Sequence, residues 1–136
     1  MLDEAGRTTD SVRATRAVDD LGAVRHNIRG IRQRIGDQRR LMAVVKADGY
    51  GHGAIPVSRA ALQSGADCLA VAIPEEGLEL RSGGFDCPIL VLGLVQPGEA
   101  CKTVAAGLEQ TVCSVDLLEA LDQGHVLGAD LGPVVG

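Results

Sequence analysis

The feature that most constrains the fold is an alternation. Short apolar runs rich in β-formers occur at 41–45, 68–72, 89–92 and 111–113, and each is followed by a segment with helical spacing. Strands that are apolar throughout and alternate with helices belong to a parallel sheet covered by helices. The boundaries are marked locally. The helix after the first run carries Ile55, Val57, Ala60, Ala61 and Leu62 and stops near Gly65. The next two begin at Pro74, with Glu75 and Glu76 in the first turn, and at Pro97, which leads to a stop at Gly107. Proline suits the first helical position and acids suit the positive helix end. Ser114 can cap a fourth helix carrying Leu117, Leu118 and Leu121. Ahead of all four units, Leu21, Val24, Ile28, Ile31 and Ile35 form one helical stripe, with Asp19 or Asp20 to cap its start and Gly36 its end. Residues 1–15 read as a flexible leader, and 16–136 as a single set of about four strand-helix units with no linker dividing it.

Composition narrows the partners. A net charge of −5 argues against nucleic acid and anionic membranes. The early arginines Arg25, Arg29, Arg32, Arg34, Arg39 and Arg40 read as the solvated side of the first helix and the turn after it. Cys68, Cys87, Cys101 and Cys113 form no C-x-x-C pair and read as small buried hydrophobes in a reducing compartment. No apolar run approaches the ~20 residues that span a bilayer, and the start lacks a signal-peptide core. The expected setting is therefore cytoplasmic, with no metal.

The chemistry concentrates in "LMAVVKADGYGHGA", 41–54. Site-bearing loops lie at the C-terminal ends of parallel strands, and Lys46 stands at such an end. The chain has two lysines, Lys46 and Lys102, against eleven arginines. Where a surface charge suffices, this sequence uses arginine. A lysine there can snorkel to solvent, or burial can free a nucleophilic amine that forms Schiff bases. A rival pattern overlaps it: 49–54 fits G-x-G-x-x-A through Gly49, Gly51 and Ala54, with Glu75 at the distance of a ribose contact. Against this nucleotide-binding reading, Lys46-Ala47-Asp48 intervene between strand and first glycine, and Glu75 follows Pro74 as a first-turn helix residue.

"AVVKADGYGHGA" resembles the cofactor-lysine motif of alanine racemases, the pyridoxal-phosphate enzymes of fold type III. "DDLGAVRHNIRGIR" resembles that family's opening strand and helix, and "ALQSGADCLAVAIPEEGLELRSGG", "CPILVLGLVQPGE" and "LEQTVCSVDLLEAL" resemble its next units in order. The resemblance implies a (β/α)8 barrel, of which this α/β chain holds about the first four strand-helix units. It implies pyridoxal 5'-phosphate as cofactor and interconversion of L- and D-alanine for peptidoglycan precursors. Lys46 matches the lysine that bonds the cofactor and serves as one of two bases, and Tyr50 matches the tyrosine at the cofactor phosphate. Asp48 and His52 belong to the motif as loop-shaping residues. In the family the second base is a tyrosine from a C-terminal β domain of the partner subunit in a homodimer. The one tyrosine here is Tyr50. A full barrel takes ~250 residues, so the expectation is a truncated chain, inactive alone; a half-barrel that binds cofactor without turnover, or is only structural, is the alternative. Asp19 departs from an apolar family position, and Gly49 from a common alanine.

Overall fold

The computed structural model describes residues 18–130. Helix α1 (Leu21–Ile35) leads into β1 (Met42–Val44), α2 (Lys46–Tyr50) and α3 (Ala54–Leu62). Then follow β2 (Cys68–Val71), α4 (Pro74–Ser82), β3 (Ile89–Val91), a 3-10 turn (Pro97–Glu99) with α5 (Ala100–Ala105), β4 (Glu109–Gln110) and α6 (Val115–Asp130). All pairings are parallel and the strand order is β1-β2-β3-β4. Short right-handed crossovers produce that sequential order. The result is a four-stranded parallel sheet in the sequential order that a partial α/β barrel requires. The doubly wound order that the nucleotide reading needs, with its switch point, is not the order found.

The register assigns the two faces. Met42 pairs with Cys68, Leu69 with Ile89, and Leu90 with Glu109. Side chains alternate along strands, so Ala43, Val45, Leu69, Val71, Ile89 and Val91 share one face. All six are buried, in one cluster with Ala54, Ala61, Leu80, Ala100 and Leu117 of the helices. The other face carries Met42, Val44 and Leu92, exposed at 37%, 41% and 40%. Among the described residues, the helices of the core cluster cover the first face, while on the second Met42, Val44 and Leu92 stay partly exposed beside the buried Cys68 and Ala70.

Several expectations are corrected. The fourth strand is Glu109–Gln110 rather than 111–113. The Thr111 N–H still donates to Val91 O at 3.1 Å, but Val112 and Cys113 are exposed as the chain turns toward α6. Residues 18–20, expected to be the end of an opening strand, are irregular. Of the two caps the sequence offers, Asp20 takes the role as expected, its Oδ1 accepting from Gly22 N at 2.8 Å and Ala23 N at 3.3 Å. No residue of α1 is buried and Ile31 is 44% exposed, so the stripe is only partly covered, with Ile28 reaching the core. Only Cys68 is a buried cysteine; Cys101 and Cys113 are exposed. Desolvation raises the pKa of the Cys68 and Cys87 thiols above 9.0. The leader at 1–15 lies outside the described residues.

Arg32 is not a solvated charge either. From α1 its guanidinium donates to Gly65 O at 3.0 and 2.7 Å, to Gly36 O at 3.0 Å and to Arg39 O at 2.6 Å, and pairs with Asp67. Arg81 does the same from α4, donating to Ala106, Phe85, Cys87 and Gly107 carbonyls. Five donors in a fixed fork suit arginine to gathering the carbonyls left by turns. These two clamps fasten helix ends to the loops that enter the strands.

Asp67 completes the first clamp. Its Oδ2 accepts from Leu41 N at 2.6 Å, and that bond, then the one from Arg32, holds its carboxyl below the ordinary value of 3.8. A folded-state pKa below the unfolded one adds stability above the unfolded value, and that stability is lost as pH falls through the folded one. Asp67→Asn is expected to flatten the acid limb of stability. Urea midpoints between about pH 2 and pH 6 test this; equal slopes in both proteins would refute the assignment.

Candidate functional site

At the C-terminal end of β1 the chain makes a turn of unusual hand. Ala47, Asp48 and Gly49 have φ of 51°, 52° and 61°, with ψ of 53°, 48° and 38°. Tyr50 and Gly51 follow at φ 58° and 83°. This is a left-handed turn, although L-residues pay about 1–2 kcal/mol each in that region. Backbone bonds close it: Gly49 N donates to Val45 O at 2.9 Å, Gly51 N to Ala47 O at 2.9 Å and Gly53 N to Asp48 O at 2.9 Å.

Side chains hold the turn from outside. Asp48 Oδ1 accepts from Ala54 N at 2.7 Å, joining the turn to the start of α3. Glu76 Oε1 accepts from Ala47 N at 2.6 Å, while its Oε2 accepts from Ala72 N at 2.7 Å and Ile73 N at 3.3 Å. His52 Nδ1 meets the Asp19 carboxylate, which ties the loop to the approach to α1. So Asp48 and His52 have the loop-building tasks expected of them, and Asp19 is a partner that the sequence did not suggest. Gly49 is buried, and a Cβ on it would lie 3.3 Å from Ala54 N. Gly49, Gly51 and Gly53 all take positive φ, and Gly49 packs closely against the start of α3.

Lys46 and Tyr50, the two residues singled out from the sequence, open and close this one turn. Lys46 is half-buried rather than buried. Tyr50 is 59% exposed. Lys102 is exposed on α5. Glu75 is exposed in the first turn of α4 and has no part in the loop. Glu76 was legible only as a helix-start acid. Its position two residues after Pro74 places it third in the helix, where a carboxylate reaches back to free N–H groups, but nothing local shows that it also reaches the lysine turn. Among the described residues no cluster of three or more His, Cys, Asp or Glu could hold a metal, and no helix is long and apolar enough to cross a membrane.

Comparison with known proteins places this arrangement. The sequence profile described as "Alanine racemase, N-terminal domain" matches residues 20–131. An alanine racemase of Symbiobacterium thermophilum is 52% identical over 120 residues, covering 88% of this chain and 32% of that protein. One from Desulforamulus reducens is 47% identical over 109 residues, covering 78% and 30%. Among solved structures, alanine racemase from E. faecalis superposes with a TM-score of 0.73 at 39% identity, covering 76% of this chain and 28% of that one. That from D-cycloserine producing Streptomyces lavendulae gives 0.75 at 36%, covering 81% and 28%. The chain thus spans under a third of the length of these relatives. With the profile, the sequences and the superpositions in agreement, the chain belongs to the alanine racemase family and corresponds to its N-terminal domain.

Proposed function

We propose that this chain provides the cofactor-lysine portion of an alanine racemase, an enzyme using pyridoxal 5'-phosphate to interconvert L- and D-alanine for peptidoglycan precursors. The observation that carries the reading is Lys46 at the end of a parallel strand, with a left-handed glycine turn returning the chain through Tyr50. The residues suit the cofactor chemically: a primary amine for its aldehyde, an exposed phenol for its phosphate, and a turn whose buried Gly49 packs closely on the start of α3. When bound, pyridoxal phosphate supplies an electron sink that makes an amino-acid α-proton removable. Lys46 Nζ would hold the aldehyde covalently and carry a proton at one face of the substrate α-carbon. Tyr50 Oη would hydrogen-bond the phosphate and fix the ring's position. Inversion needs a second proton carrier on the opposite face, and in this reading it comes from a C-terminal domain of the partner subunit in a homodimer.

A second reading has a specific observation behind it. With Met42, Val44 and Leu92 uncovered, this chain alone suits a cofactor-binding or purely structural half-barrel that does not turn over. Both readings with cofactor expect selective labelling. Borohydride reduction at low pyridoxal phosphate, followed by peptide mapping, should place the label on Lys46 about tenfold over Lys102, through the raised local concentration of aldehyde at a built site. Lys46→Arg should abolish that label. Equal labelling of Lys46, Lys102 and the N-terminal amine would leave only generic amine chemistry. Negligible racemisation by the labelled chain alone is expected, and robust turnover would refute the need for a second base from outside it.

A further inference from the structure

We infer that Glu76 is the positioning residue for Lys46, acting through the peptide that follows it; the inference rests on Lys46 being the cofactor lysine. Three observations converge. The Glu76 carboxylate bridges two strand ends, one oxygen on Ala47 N after β1 and the other on Ala72 N and Ile73 N after β2. Ala47 is the first left-handed residue of the turn and is not a glycine, so its conformation needs an outside hold. No other side chain is hydrogen-bonded to the Ala47 peptide among the described residues.

The geometry gives Glu76 a task beyond capping α4. A cap needs a carboxylate in reach of the helix start alone. This carboxylate spends one oxygen there and the other on the lysine turn. Without it, Ala47 is free to return to ordinary φ, which rotates the peptide joined to Lys46 and swings the amine away from the direction β1 gives it. Glu76 therefore sets where the Lys46 amine is held relative to the mouth of the sheet. An ionised carboxylate is needed because both oxygens must accept at once. A glutamine can accept on one side only, and its NH2 group would face an N–H. An aspartate keeps the charge in the first turn of α4 but is one methylene too short to span both strand ends.

The test uses the full chain with Glu76, Glu76→Gln, Glu76→Asp and Glu76→Ala, and two readouts. Amide hydrogen exchange at Ala47, without cofactor, reads the hold on the turn. Borohydride trapping with pyridoxal phosphate reads the Lys46 to Lys102 labelling ratio. Exchange at Ala47 should quicken about tenfold in Glu76→Ala and Glu76→Asp, and less in Glu76→Gln, with core amides such as Val71 unchanged. The labelling ratio should fall in the same order. Unchanged Ala47 exchange in Glu76→Ala, or full protection in Glu76→Asp, would overturn the inference and leave only a helix cap. Unselective labelling in the unaltered chain would instead count against the cofactor reading, while Ala47 exchange would still decide whether Glu76 holds the turn.

Discussion

Arg81→Ala is expected to remove about 2–4 kcal/mol of stability, a large part of the 5–15 kcal/mol typical of a domain. The guanidinium donates to Ala106 O at 3.0 Å, Phe85 O at 2.6 Å, Cys87 O at 2.8 Å and Gly107 O at 2.8 Å. It thus joins the end of α4 to the loop entering β3 and to the one entering β4. Truncation strands partly buried carbonyls on both loops at once, and hydrogen bonds to charged groups are the costly ones to lose. Lysine has three donors on a tetrahedral nitrogen and cannot reproduce the planar fork, so Arg81→Lys should recover less than half of the loss. Urea denaturation of the three proteins measures this. An unchanged midpoint in Arg81→Ala would show the carbonyls to be satisfied by water.

The second large effect concerns association. Met42, Val44 and Leu92 lie on the sheet face away from the helices, exposed at 37%, 41% and 40%. In an eight-stranded barrel such positions fill the interior. The 136-residue chain on its own is expected to associate with concentration and to bind a hydrophobic dye, since partly exposed apolar side chains beside strand edges invite contact. Burial of a valine or leucine is worth about 1.5–3 kcal/mol, so Val44→Gln with Leu92→Gln should weaken association by tenfold or more. Neither residue belongs to the buried cluster under the helices. Sedimentation across a concentration series reads the result. A strict monomer at every concentration, silent toward the dye, would contradict it.

What the sequence disclosed depended on whether the determinant was local. Pro74, Pro97 and the capping Ser114 place their helices correctly because each acts within one turn of itself. One short motif singled out Lys46 and Tyr50, which the structure places at the two ends of one turn, and the sheet order follows from short crossovers. The two-residue β4 was misplaced because Thr111, Val112 and Cys113 have higher β-propensity than Glu109 and Gln110; pairing to Leu90 and Val91 overrode it. Arg32 and Glu76 looked like ordinary helix charges. Their partners are Gly65 and Asp67 in one case and Ala47 in the other, 29 to 35 residues away in sequence. No period or motif carries contacts of that range, and the Glu76 bond to the lysine turn is one of them.

The left-handed turn has a consequence for the order in which this molecule is built. A peptide ending just after Ala54 has the whole lysine motif, yet Ala47, Asp48 and Tyr50 would each prefer the opposite hand. The Glu76 carboxylate arrives only with α4, and it is seated on N–H groups at the end of β2. During synthesis Lys46 therefore emerges with only the Asp48–Ala54 bond to hold its turn, well before the Glu76 carboxylate can reach it. On the inference that Glu76 holds this turn, its geometry is acquired when the second strand-helix unit docks on the first, so the smallest nascent chain with a set Lys46 reaches to about the end of α4.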